Sequence, residues 1–209
     1  RGYIQAVYRD IGEKVDIPAP DINTDAKIMS WMLDEYIKLT GKYSPGIVTG
    51  KPTVVGGSAG RVEATGLGVS VIAKMAAKKQ GLNIKGAKVS IQGFGNVGSY
   101  TVKHLQKLGA KIIAIALRNE SIYNPEGFDF KDLMEYRNNH GSLVGYPKGE
   151  VIDFDEFWSL DVDIVIPAAI ENAINSEIAY KLNAKIVCEA ANGPTTVAGD
   201  KVLAERGIL

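Results

Sequence analysis

The strongest constraint on this chain is the stretch Lys-Val-Ser-Ile-Gln-Gly-Phe-Gly-Asn-Val-Gly at 88–98. Apolar, β-branched residues lead into Gly93, Gly95 and Gly98, spaced G-x-G-x-x-G, and a helical pattern follows over 97–108. That arrangement has a specific physical use. Gly93 permits a tight turn off a strand, Gly95 lets backbone approach a pyrophosphate, and Gly98 lets the helix pack close to the sheet. The phosphates then sit on N–H groups at the positive end of the helix. The spacing alone is compatible with a glycine-rich turn that binds nothing. The strand before it and the helix after it favour dinucleotide binding. Phe94, Asn96 and Val97 fill the loop and complete the candidate cofactor-binding segment.

Composition bounds the rest. At 209 residues the chain is long enough for one good core, or for one domain and part of another. Lysine plus arginine balance aspartate plus glutamate at 24 each, so nothing recommends a nucleic acid or a membrane surface as partner. Cys188 is the single cysteine, which excludes an internal disulfide and fits a reducing compartment. No apolar run approaches about 18 residues and no leader pattern is present, so a soluble cytoplasmic protein is expected. The chain opens on Arg1 rather than methionine, which suggests an excised or processed piece.

From the start, Tyr3, Ile4, Ala6, Val7 and Ile11 recur at helical spacing, and Gly12 sits where that helix would stop. Prolines in the segment 15–24 then force an extended path. Asn23 or Thr24 can cap the next helix, whose apolar face is Ile28, Met29, Trp31, Met32, Tyr36 and Ile37, up to Gly41. Asp21 lies just before it on a rigid segment, where its plainest role is a turn or capping carboxylate. Residues 43–60 turn to proline, glycine and serine and read as a hinge. A long helix is expected over 61–80 with Val69, Val71, Ile72 and Met75 on its apolar side. Thereafter strands at 87–92, 111–117, 163–166 and 185–188 alternate with helices at 97–108, 130–138 and 175–182 and a last one ending at 206–207. This spacing predicts an α/β fold with a doubly wound parallel sheet of Rossmann type.

The motifs together resemble the glutamate dehydrogenase family. They are Pro-Ala-Pro-Asp-Ile-Asn-Thr at 18–24, Val-Thr-Gly-Lys-Pro at 48–52, Gly-Gly-Ser at 56–58 with Gly60 and Arg61, Glu-Ala-Thr-Gly at 63–66, and the glycine loop. Ile-Tyr-Asn-Pro at 122–125, Pro-Ala-Ala at 167–169 and Ala-Asn-Gly-Pro-Thr-Thr at 191–196 continue the match in the same order. The resemblance implies reversible oxidative deamination of L-glutamate to 2-oxoglutarate and ammonia, with hydride passing to a nicotinamide cofactor. A leucine- or phenylalanine-type dehydrogenase on the same plan is the alternative, and a non-catalytic dinucleotide-binding module is the reading from a different class.

By matching position, the resemblance makes Asp21 the catalytic carboxylate that moves a proton to and from the substrate nitrogen. It places Arg61 and Thr65 at the mouth of the site, with Thr65 on the nicotinamide carboxamide and Asn96 as a second contact. Ala168, Asn172 and Asn192 fall at carboxyl ends of strands, where such sheets gather ligands. For Ala168 and Asn172, strand-end packing and turn capping stand as the alternative.

Two departures from the family are informative. An acidic residue that accepts from the ribose 2′-OH is commonly found where this chain has Leu117, and Arg118 and Asn119 follow it. Leucine no longer repels a 2′-phosphate, and the Arg118 fork suits one, so NADP is favoured over NAD, with Glu120 as a carboxylate that a loop shift could bring back. The lysines of the family's substrate site have no counterpart either, because Lys14, Lys27 and Lys38 lie in other contexts. The expected domains are therefore 1–54, substrate-domain portion and hinge, and 55–209, a dinucleotide-binding domain truncated at its end. The family is typically hexameric, whereas a monomer or weak dimer is expected of this piece, with little turnover of its own. His104 and His140 lack partners at ligand spacing, so no metal is expected. Cys188, in a β-run, reads as a small buried hydrophobe.

Overall fold

The computed structural model describes residues 1–21 and 23–209; Ile22, inside the 18–24 motif, lies outside the described residues. The chain divides into two compact units, Arg1–Val62 and Glu63–Leu209.

In the first unit, α1 (Gly2–Val7) and α2 (Ala26–Thr40) bury Ile4, Met29, Met32 and Leu33, joined by Ile11, Ile47 and Val48. Helix α1 is shorter than its periodicity suggests, because Ile11 enters the core from a β-bridge with Asp16. The cap of α2 is Asp25, whose carboxylate accepts from the Ile28 N–H at 2.8 Å. Neither Asn23 nor Thr24 caps it. The Thr24 hydroxyl is engaged instead at Asp21, accepting from its N–H at 2.6 Å and donating to its carbonyl at 2.7 Å. Glu35 is buried beneath two donors, Gln5 Nε2 at 2.6 Å and Arg1 Nη1 at 2.9 Å. Those bonds, the one from Gln5 above all, hold its carboxyl below the usual range. Trp31, expected on the apolar face, is exposed under Lys27.

The second unit carries α3 (Arg61–Lys79, which starts in the last residues of the first), β1 (Lys88–Gln92), α4 (Asn96–Lys107), β2 (Lys111–Ala116), β3 (Ser121–Tyr123) and α5 (Phe130–His140). Then follow β4 (Glu150–Ile152), α6 (Phe154–Ser159), β5 (Ile164–Pro167), α7 (Ser176–Lys181), β6 (Ile186–Val187) and α8 (Val197–Glu205). Among the described residues the six strands lie in the order β4-β3-β2-β1-β5-β6. Pairings are parallel except at β3, which is antiparallel to both β2 and β4. This reversed strand and its neighbour β4 were not expected. At three residues each they are too short to show a period in sequence. Leu209 donates to the Lys185 carbonyl and accepts from the Val187 N–H along the outer edge of β6.

Two apolar layers cover the sheet. Val89, Ile91, Ile164 and Ile166 point to one face, against Val69, Ala73, Val102, Leu105 and Leu133. Ile113 and Val165 point to the other, against Phe157, Trp158, Ala179, Val202 and Leu203. Such alternation is the period-two rule at work. Helix α3 departs from its expected orientation. It buries Gly66, Val69, Ser70, Ala73 and Ala77, while Val71, Ile72 and Met75 are exposed. The cause is Gly66, which packs so close to α4 that an added Cβ would stand 2.6 Å from the Thr101 nitrogen. Only small side chains fit a helix pair at that separation. Cys188 lies beneath α3 with its Sγ 3.8 Å from the Val69 carbonyl oxygen. Burial, and then the adjacent Glu189, push its thiol up to about 11.

Candidate functional site

The central strand β1 decides where a ligand can sit. The chain fills one side of it with β2, β3 and β4, then crosses to β5 and β6 on the other. In doubly wound sheets ligands bind outside the carboxyl ends of the strands where that order reverses. The loop at that point is the glycine loop.

Its three glycines do different work. Gly93 has φ +96° and a space that a Cβ would share with the Ala168 carbonyl oxygen and Ala169 Cβ, each at 3.0 Å. At Gly98 a Cβ would run into the Gly93 carbonyl oxygen. Gly95 faces open space, with nothing within 4 Å of where its Cβ would be. It stands at the N-cap of α4, whose first turn has no side-chain cap. A closed cradle beneath and an open approach above suit an anion on the helix N-terminus. The loop is tied down by the Gly93 N–H, which donates to Ala116 O at 2.7 Å, and by the Ala168 N–H, which donates to Gln92 O at 2.8 Å.

Beside this loop opens a cavity of about 720 Å³ lined by Gly93, Phe94, Leu117, Arg118, Asn119 and Arg137, among others. Leu117 closes a tight turn, donating its N–H to Glu120 O at 2.8 Å, and Arg118 and Asn119 form the exposed tip between β2 and β3. Glu120 turns elsewhere. Its Oε1 accepts from the Gly145 N–H at 3.2 Å. Among the described residues no carboxylate lines the cavity. Two of its groups escaped the sequence reading. The Arg137 guanidinium stands 5.8 Å from the centroid of the buried Phe94 ring, and Gln92 Oε1 is buried with no partner among the described residues. Gln92 is the single polar side chain at the mouth end of an otherwise apolar strand end, which is the signal that could have flagged it. Arg137 arrives from α5, and nothing local in sequence announces it.

The remaining candidates fall where their loops take them. Ala168 is half-buried at the end of β5, and Asn172 and Asn192 are exposed. The loops that carry them are joined, since the Asn172 N–H donates to Gly193 O at 3.0 Å and the Ile174 N–H to Pro194 O at 2.8 Å. Asn172 adopts φ +55°, a left-handed conformation that asparagine tolerates. Val97 is half-buried and Asn96 exposed at the start of α4, and Thr65 is exposed on α3. Asp21 and Arg61 belong to the first unit, both exposed. There Arg61 lines a cavity of about 480 Å³ with Thr49, Ser58 and Lys51, whose buried ammonium donates to Val48 O at 2.8 Å. Among the described residues no group of three or more His, Cys, Asp and Glu side chains is placed to hold a metal ion. No helix among them is long and apolar enough to cross a membrane.

Comparison with known proteins gives these sites a family. The model of the Glutamate/Leucine/Phenylalanine/Valine dehydrogenase family matches residues 56–209, and that of the Glu/Leu/Phe/Val dehydrogenase dimerisation domain matches residues 1–38. The chain is 55% identical to the NAD-specific glutamate dehydrogenase of Clostridioides difficile, covering all of this chain and 51% of the relative. It is 46% identical to the NADP-specific enzyme of Saccharolobus shibatae, again over the whole chain and 49% of the relative. Among solved structures, the hetero-hexameric glutamate dehydrogenase of Thermus thermophilus superposes with a TM-score of 0.92 at 34% identity, over 99% of this chain and 49% of that one. The glutamate dehydrogenase of Peptoniphilus asaccharolyticus gives 0.80 at 46% identity, over 99% and 49%. The chain thus spans about half the length of the curated relatives it matches. With the glycine cradle at the switch point and both family models matched in order, the chain belongs to the Glu/Leu/Phe/Val dehydrogenase family.

Proposed function

We propose that the chain binds a nicotinamide dinucleotide at the carboxyl ends of β1, β2, β5 and β6 and serves the reversible oxidative deamination of L-glutamate to 2-oxoglutarate and ammonia. The observation that carries this reading is the cradle of Gly93 and Gly98 beneath the open approach at Gly95. The glutamate dehydrogenases among its relatives support glutamate as the substrate. Residues 1–54 are read as the substrate-side portion and hinge, and 55–209 as the dinucleotide-binding domain.

The roles follow. Gly93 to Gly98 hold the pyrophosphate, with Phe94 and Val97 shaping the loop. Thr65 and Asn96 hold the nicotinamide end, and the loops of Ala168, Asn172 and Asn192 form the rim. When bound, the nicotinamide supplies the hydride acceptor. Asp21 takes a proton from the amino nitrogen and returns it in the reverse direction. Arg61 is read with Thr65 as a cofactor-side group at the mouth of the site. NADP is favoured over NAD because Leu117, Arg118, Asn119 and Arg137 line the cavity without a carboxylate. Glu120 is committed to Gly145.

Calorimetric titration with NADP and NAD at two salt concentrations tests this. Tighter NADP binding that weakens with salt is expected, since a charge-assisted phosphate contact is screened by ions. Leu117→Glu is expected to reverse the preference by about tenfold, because a carboxylate there repels the 2′-phosphate and accepts from the ribose diol. Tighter NAD binding by the unsubstituted chain overturns the cofactor assignment, and failure of a folded chain to bind either overturns the reading itself. Alone, the chain is expected to turn over little glutamate, because the family's substrate lysines have no counterpart among its residues; a rate like that of a full-length relative overturns that part.

A further inference from the structure

Helices α3 and α4 meet backbone to backbone. At Gly66 an added Cβ would lie 2.6 Å from the Thr101 nitrogen and 2.7 Å from Tyr100 C, and Ser70 Oγ spans the seam, donating to Gly66 O at 2.8 Å and reaching Thr101 O at 3.4 Å. One turn nearer the start of α3, a single carboxylate gathers two groups from α4. Glu63 Oε2 accepts from Lys103 Nζ at 2.5 Å and lies 3.1 Å from Nε2 of the buried His104. Among the described residues these are the only ion pairs between the two helices.

Thr65 sits between the two attachments, two residues after Glu63 and one before Gly66, exposed on the same turn. Helix α4 in turn begins at the glycine loop. Half-buried ion pairs of this kind add only modestly to stability, and α3 is already held through Gly66, Val69, Ser70, Ala73 and Ala77. What Glu63 adds is restraint at the end of the helix, where fraying is greatest and where an ångström of displacement matters for a bound group. Both α4 groups converge on one oxygen, so rotation of the α3 turn in either direction lengthens a contact.

We propose that Glu63 is a positioning residue for the nicotinamide end of the cofactor, fixing the α3 turn that carries Thr65 against the helix that starts at the glycine loop. This rests on the dinucleotide reading above and names a residue that touches no ligand. It separates the cofactor into a half that depends on Glu63 and a half that does not.

The test uses the full chain and two probes: the preferred dinucleotide, and the matching ADP-ribose or 2′-phospho-ADP-ribose, which lacks the nicotinamide. Glu63→Gln is expected to weaken the dinucleotide about tenfold and to leave the truncated probe within about twofold. Glu63→Asp, which keeps the charge, is expected to recover most of the loss. Equal weakening of both probes, or no weakening of either, overturns the proposal. If the unsubstituted chain binds the dinucleotide no better than the truncated probe, the nicotinamide contact at Thr65 fails and the proposal falls with it. If it binds neither, the dinucleotide reading itself is lost.

Discussion

Gly98 and Gly95 are three residues apart in one loop, yet a methyl group added at each meets different surroundings. At Gly98 it would collide with a backbone oxygen, that of Gly93, which cannot swing aside as a side chain can. Gly98→Ala should therefore cost about 1–3 kcal/mol, the usual penalty of overpacking, and also weaken dinucleotide binding. At Gly95 the methyl finds open space at φ −76°, an angle any residue adopts. Gly95→Ala should leave stability within about 0.5 kcal/mol of the unsubstituted chain while placing a methyl where the pyrophosphate is to lie. Thermal melts paired with titrations read both. A Gly95→Ala chain that binds as well as the original would move the phosphates elsewhere. The spacing of these glycines was legible in sequence because each answers to a local backbone demand. Arg137 was not, since it reaches the cavity from α5 through the tertiary fold, and no local pattern marks it.

Among the elements, α3 shows where periodicity misleads. Its larger apolar residues, Val71, Ile72 and Met75, gave the visible stripe, but the face that packs is the one built from Gly66, Ser70, Ala73 and Ala77. Hydrophobicity scales reward size, whereas a helix seam set by one glycine rewards smallness. Ala73→Leu is expected to destabilise the second unit by about 1–3 kcal/mol, and Ile72→Ser to change its melt by less than about 0.5 kcal/mol. The opposite ranking would mean that the exposed stripe, not the small-residue face, holds α3 in place. The main parallel strands and helices α4 and α5 were legible because their apolar periods run long enough to be seen. Strands β3 and β4 were not, being three residues each and defined by their partners in the sheet. At the start of α2 the chain offers Asn23, Thr24 and Asp25 in succession. Which one caps was decided by Thr24 being drawn to Asp21, a choice that composition cannot display.

For the molecule as a whole, the division into Arg1–Val62 and Glu63–Leu209 separates the two kinds of chemistry that the resemblance assigns. Asp21 belongs to the first unit, while the glycine loop, Thr65 and the rim loops belong to the second. The proton-handling role proposed for Asp21 rests on the family motif alone, since an aspartate before a helix is usually a turn residue; the dinucleotide reading of the glycine loop rests on its own strand-turn-helix setting. The lone thiol of the second unit has a further use. Cys188 lies under α3 with 5% of its surface exposed and its thiol pushed up to about 11, so an alkylating reagent at neutral pH meets little sulfur surface and little thiolate. Modification is expected to speed up when α3 lifts from the end of β6, where Cys188 lines a cavity with Ile72 and Met75. The rate at which a thiol reagent consumes Cys188 should accordingly count openings of that seam, falling when dinucleotide binds and rising in Ala73→Leu. A rate equal to that of a free thiol, unchanged by either, would mean the seam is open in solution. In that sense the chain carries its own stopwatch, started each time the helix comes away from the sheet.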